Sequence, residues 1–151
     1  MATSTLVQFL EAGEPASVMN RRQVETFLTT ATIAAGDWVA FDTGKTGADK
    51  ALHVIATPAV AGRGNVVGVA LAAATGTASI PATVEVVVGG YVAAAKVVAG
   101  TAQHASLTTD GAAAGTAITY ATGTHTGTGP CGVALTAEAG GFSEAYVYSK
   151  F

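Results

Sequence analysis

Small blocks of glycine and alanine recur along this chain. An internal repeat constrains the fold more than any single motif, because each copy has to bury its apolar face against a neighbour. Ala35-Gly36, Gly47 and Gly68-Val69-Ala70-Leu71 return as Ala99-Gly100, Gly111 and Gly132-Val133-Ala134-Leu135, each at a spacing of 64 residues. After a shorter connection, Val84-Glu85-Val86-Val87-Val88 is echoed by Ser143-Glu144-Ala145-Tyr146-Val147. The repeat keeps glycines and small apolar residues rather than reactive side chains, a pattern that favours structure over catalysis.

The repeated unit reads as a string of short strands. Residues 37–42 alternate apolar and polar and end in the turn signal Thr43-Gly44. Residues 51–57 stop at Pro58, and 66–73 follow a Gly-Arg-Gly-Asn turn. Residues 83–92 form a long strand, with a bulge or sharp bend expected at Gly89-Gly90. In the second half the strands are 103–108, 116–122, 131–137 and 144–151, separated by Asp110-Gly111 and Gly140-Gly141. The last of them should set Tyr146 and Tyr148 on one face and Val147 and Ser149 on the other. The expected fold is all-β, a small barrel or sandwich built from an internal duplication.

Residues 1–30 have no counterpart in the repeat and gather Glu11, Glu14, Arg21, Arg22 and Glu25. Val24, Thr26 and Leu28 alternate as an edge strand does, whereas a helix from Ser17 would align Val24, Phe27 and Leu28. A loosely ordered terminus and an arm that orders on a partner fit the same residues. The division is therefore an arm over 1–30 and a β domain over 31–151, in repeats of about 31–94 and 95–151.

Charged residues are only 11% of the chain, against an average near 25%. A freely diffusing surface ordinarily needs more, so much of this one should be covered. A net charge of −3 argues against nucleic acid as a partner, since that requires clustered cations. The start lacks the basic and long apolar regions of a secretory signal. No run is long enough to span a membrane, so no membrane partner is expected. Cys131 is the only cysteine and cannot form an intrachain disulfide, which is compatible with a reducing compartment.

Four candidate chemistries fare poorly. Asp42-Thr43-Gly44 resembles the catalytic triplet of retropepsin-like aspartic proteases, but Lys45 follows where a small residue is usual. At the repeat spacing its counterpart is Ser106, which leaves no internal carboxylate dyad. Gly44-Lys45-Thr46 lacks the glycine that a phosphate-binding loop needs at position 39. His53, His104 and His125 are too widely spaced for a metal-ligand motif. Cys131, beside His125 in sequence but set between Pro130 and Gly132, fits a buried small residue better than a nucleophile. No catalytic, cofactor or metal site is expected.

The linear order resembles the head decoration, or cement, proteins of tailed bacteriophages. The resemblance rests on Asn20-Arg21-Arg22, Glu25-Thr26-Phe27, Ala34-Ala35-Gly36-Asp37, Phe41-Asp42, Val67-Gly68-Val69-Ala70-Leu71, Val86-Val87-Val88-Gly89-Gly90-Tyr91-Val92 and Val147-Tyr148-Ser149-Lys150-Phe151. It implies a non-enzymatic virion protein, made in the host cytoplasm, that binds the outside of the assembled capsid and braces the major capsid protein. Further copies of the chain could share a symmetry axis. Asn20, Arg21, Arg22 and Phe27 would then touch the capsid, while Trp38, Phe41, Val69, Leu71, Val133 and Leu135 would form the core. Residues 75–82 look like an insertion relative to the second repeat. A self-assembling fibre or baseplate protein is the alternative, and a small enzyme centred on Asp42 a more distant one.

Overall fold

The computed structural model describes residues 22–60, 65–125 and 129–148. Within them lie eleven strands: β1 (Arg22–Thr29), β2 (Thr32–Ile33), β3 (Trp38–Phe41), β4 (Val54–Ala56), β5 (Val66–Ala70), β6 (Ala74–Thr75), β7 (Ala82–Lys96), β8 (Ser106–Thr109), β9 (Ala117–Thr119), β10 (Gly132–Ala134) and β11 (Phe142–Val147). The only helical element among these residues is a 3-10 turn, Gly47–Ala51. The fold is all-β, as expected. Nine strands make one antiparallel sheet in the order β4-β3-β5-β7-β11-β10-β8-β9, with β1 also on β7; β2 and β6 pair separately.

That order reads the same from either end, because β3, β4, β5 and β7 pair as β8, β9, β10 and β11 do. Trp38 stands opposite Val69 as Ser106 stands opposite Val133. Val39 faces Ala56 as Leu107 faces Thr119, and Ala70 faces Val86 as Ala134 faces Ala145. The offset is thus 68 residues from Trp38 to Ser106, 63 from Ala56 to Thr119, 64 from Val69 to Val133 and 59 from Val86 to Ala145.

The single spacing of 64 holds only for the third strand. Gly36 corresponds to His104 rather than Gly100, since each donates its N–H to the equivalent carbonyl, Ala70 or Ala134, at 2.8 Å. Both sit in the left-handed region, at φ +81° and +65°, and His104 is the only non-glycine there among the described residues.

The first strand of the pattern is also repeated. Phe27 on β1 faces Val84, and Ala95 on the far half of β7 faces Ser143. β7 therefore closes the first half and opens the second, and a boundary near residue 94 cuts through a strand that both halves share. Parallel bridges complete each half: Leu28 to His53 brings β4 back to β1, and Val97 to Ala117 brings β9 back to the end of β7. The bulge expected at Gly89-Gly90 falls one residue earlier. Gln23 faces Gly89 and Val24 faces Val87, which leaves Val88 as the extra residue.

Two cores follow from this layout. One gathers Phe27, Ile33, Val39, Val54, Val67, Ala70, Val84, Val86 and Val88 inside the first half. The other holds Ala95, Leu107, Ala117, Cys131, Ala134, Ala145 and Val147 of the second half, together with Trp38, Val66, Val69 and Val87 of the first. The second half has smaller counterparts at its inward positions: Ala95 for Phe27, Ala117 for Val54, Ser143 for Val84 and Ala145 for Val86.

Trp38, fully buried, makes up the missing volume from across the boundary. Its indole N–H donates to the Lys96 carbonyl at 3.0 Å. Its ring leaves no room for a side chain at position 132, where a Cβ would lie 2.9 Å from it. Strand β5, buried along its whole length, is covered on both faces and reads as a continuous apolar run for that reason. Of the expected core residues, Trp38 and Val69 are fully buried and Phe41 and Leu71 pack at the margins. Val133 and Leu135 are half-buried, because nothing in the described chain covers the outer face of the second half as Trp38 and Val69 are covered.

Candidate interaction surface

The residues expected to meet a capsid separate on the structure. Asn20 and Arg21 lie outside the described residues. Arg22 is exposed and opens β1, opposite Gly90. Phe27 turns inward, with 7% of its surface exposed, and packs edge-on against Phe41 at 6.2 Å and 73°. It is a core residue here, because alternation along β1 points Phe27 and Thr29 into the first half. Residues 22–29, assigned above to the arm, are a full strand of the sheet.

Most of the side chains considered for chemistry are held by structural hydrogen bonds. Asp42 accepts from the Gly44 N–H at 2.9 Å, and Asp110, its counterpart at the offset of 68, accepts from the Ala112 N–H at 3.0 Å. The pair across the repeat is therefore Asp42 and Asp110, not Asp42 and Ser106. Both carboxylates close turns after their strands, as short acidic side chains do. Lys45 Nζ donates to Thr30 Oγ1 at 3.2 Å. His53 Nδ1 contacts the Asp49 carbonyl at 3.1 Å, and His125 Nδ1 accepts from the Ala121 N–H at 2.9 Å. Among the described residues no three metal-ligating side chains gather. The Cys131 thiol is 2% exposed and donates to the Leu107 carbonyl at 3.3 Å.

Two groups have displaced acidities. Glu138 accepts from the Gly141 N–H at 2.6 Å and the Gly100 N–H at 3.1 Å, which holds its carboxyl below the usual glutamate value. Burial first, and then the neighbouring Glu144 carboxylate, push the Tyr91 hydroxyl above its ordinary value.

The outward-facing apolar groups are more distinctive. Tyr146 faces Tyr91 across β11 and β7, with Val133 on its other side. Tyr146 and Tyr148 are 44% and 37% exposed with ring centroids 6.5 Å apart, while Val147 between them is fully buried, as the alternation required. In the first half the matching positions are Val24, Val69 and Val87, all packed in the core. Between β6 and β7, Ile80 is 75% exposed on a tight turn closed by Thr77 N–H to Ile80 O at 2.9 Å and Ile80 N–H to Thr77 Oγ1 at 3.1 Å. Sequence reasoning found the Tyr146–Tyr148 face but missed Tyr91 and Ile80. Tyr91 could have been found by pairing the echoed strands, whereas Ile80 carried no signal beyond an apolar residue before Pro81. No protein-family model matches the chain, and no curated protein matches it.

Proposed function

We propose that this chain is a structural virion protein that binds the outside of an assembled phage capsid and braces its major capsid subunits. The observation that carries the reading is the set of large apolar side chains held outward on hydrogen-bonded elements, Ile80 on its closed turn and Tyr146 in its ladder. Ordered exposed apolar groups of this kind suit docking onto another protein. The resemblance of the linear order to phage head decoration proteins supplies the partner. Arg22, exposed at the start of the sheet, and Asn20 and Arg21 before it are the proposed polar contacts, and the repeated pairing pattern fits a duplicated binding module. The reading is non-enzymatic, consistent with Asp42, His53 and Cys131 being engaged in turns and core.

Co-sedimentation with expanded and unexpanded capsids tests it. Saturable binding to expanded shells alone is the expected result. No binding to either, with a stable oligomer in free solution, would replace it with the fibre or baseplate reading.

A further inference from the structure

The row of side chains that β11 turns outward differs from its counterpart in the first half. Phe142, Glu144 and Tyr146 correspond to Thr83, Glu85 and Val87 at the offset of 59. Both rows carry a carboxylate, but only the second sets it among aromatic rings. Phe142 and Tyr146 stand two residues to either side of Glu144, 38% and 44% exposed, and Tyr91 faces Tyr146 across the ladder. Tyr148 continues the row, its ring centroid 6.5 Å from that of Tyr146 and the planes tilted by 55°. The Glu144 backbone is fixed, since its carbonyl accepts from the Leu135 N–H at 2.7 Å and its N–H donates to Thr136 Oγ1 at 3.0 Å. The Tyr91 pKa is raised by burial first and then by the nearby Glu144 carboxylate.

This carboxylate has no cation of its own. Among the described residues the ion pairs are Lys45 with Asp42 and Lys96 with Asp37. Lys96 stands opposite Phe142 at the end of the row, but its Nζ is held by Asp37 at 2.6 Å. A half-buried carboxylate set among ring faces suits a guanidinium above other cations. Its plane stacks on a ring while its edge forks onto the carboxylate, which an ammonium cannot do. We propose that this face takes an arginine side chain of a partner protein, with the guanidinium paired to Glu144 and stacked against Tyr146. The inference rests on the docking reading of Tyr146 given above and names the chemistry of what docks there, without requiring that the partner be a capsid.

The probe is the peptide acetyl-Leu-Arg-Leu-amide, titrated into the full-length protein while the tyrosine ring signals are followed by NMR. The same peptide with citrulline in place of arginine is the uncharged isostere. Tyr120, whose ring lies 5.6 Å from that of His125, is the internal reference. The arginine peptide should shift the Tyr91, Tyr146 and Tyr148 signals saturably and leave Tyr120 unmoved. The citrulline peptide on the wild type, and the arginine peptide on Glu144→Gln, should each bind at least about fivefold more weakly. Trp38 fluorescence confirms that the variant keeps its core. No saturable shift, equal affinity for the two peptides, or undiminished binding to Glu144→Gln would each overturn the proposal. No capsid enters this experiment, so its failure and that of the capsid reading are told apart by co-sedimentation.

Discussion

Replacing Trp38 with alanine should damage the half of the molecule that Trp38 does not belong to. The side chain is fully buried, sits among the small residues of the second core, and anchors its indole on the Lys96 carbonyl. Truncating a buried tryptophan costs about 3–5 kcal/mol through lost transfer energy and the cavity left behind. The orphaned Lys96 carbonyl adds about 1 kcal/mol or more. A loss of about 4–6 kcal/mol is a large part of the 5–15 kcal/mol that ordinarily holds a domain together. Urea unfolding followed by circular dichroism reads the total. Native-state hydrogen exchange then locates it, and amides of β8, β10 and β11 should open at lower urea than those of β1 and β4. Phe27→Ala, at an inward position of the first core, should cost about 3–5 kcal/mol and invert that order. A Trp38→Ala loss below about 2 kcal/mol, or protection lost first from β1 and β4, would refute the claim that Trp38 supplies the second half's missing volume.

Glycine substitutions should rank by what a new Cβ would strike. At Gly68 it would lie 2.0 Å from the Val87 carbonyl oxygen, so Gly68→Ala should cost more than about 3 kcal/mol in urea unfolding, by forcing two strands apart. At Gly100 it would meet nothing within 4 Å, so Gly100→Ala should cost only the strain of φ +80°, about 1 kcal/mol. Lys96→Met removes the partner 2.6 Å from the buried Asp37 carboxylate and should cost about 1–2 kcal/mol, reduced by the partial exposure of Lys96, as thermal melts would show. Because the Glu138 carboxyl lies below its ordinary value of 4.5, its contribution is present above that value and is lost as pH falls through the folded one. Glu138→Gln should therefore flatten the acid limb of a urea-midpoint profile below the ordinary value of 4.5 and leave its slope near neutrality unchanged.

The strands were legible where turn chemistry is local. Pro58, Asp42-Thr43-Gly44 and Gly140-Gly141 mark ends that the structure keeps within a few residues. The recurrence of strand pairing was legible but misaligned at its start, because identity between Gly36 and Gly100 outweighed geometry. Both have positive φ, yet a Cβ at Gly36 would strike the Ala94 carbonyl at 2.7 Å while one at Gly100 would meet nothing. The true counterpart of Gly36 is a histidine, which no residue match could reveal. β1 was legible only as one of two readings, an edge strand or a helix from Ser17, for another reason. Its polar residues alternate weakly, and its place is set by pairing with residues some sixty positions away on β7. Among the candidate site residues, Tyr146 and Tyr148 followed from simple alternation. The inward turn of Phe27 did not, because it depends on which side of β1 the first core occupies.

Gly90 is flanked by Arg22 on one side and Val147 on the other, so the described chain enters and leaves the sheet at the same level of β7. Both flanking strands run antiparallel to β7, with β1 leading away from that level toward Ala82 and β11 arriving at it from Lys96. Tension applied through Arg22 and Tyr148 therefore acts across the strands, from opposite edges of β7 at one level. Each ladder is loaded at its end, so its hydrogen bonds open one at a time rather than failing together. A strand that two halves of the molecule hold in common thus becomes the seam from which both flanking strands peel when the described ends are drawn apart.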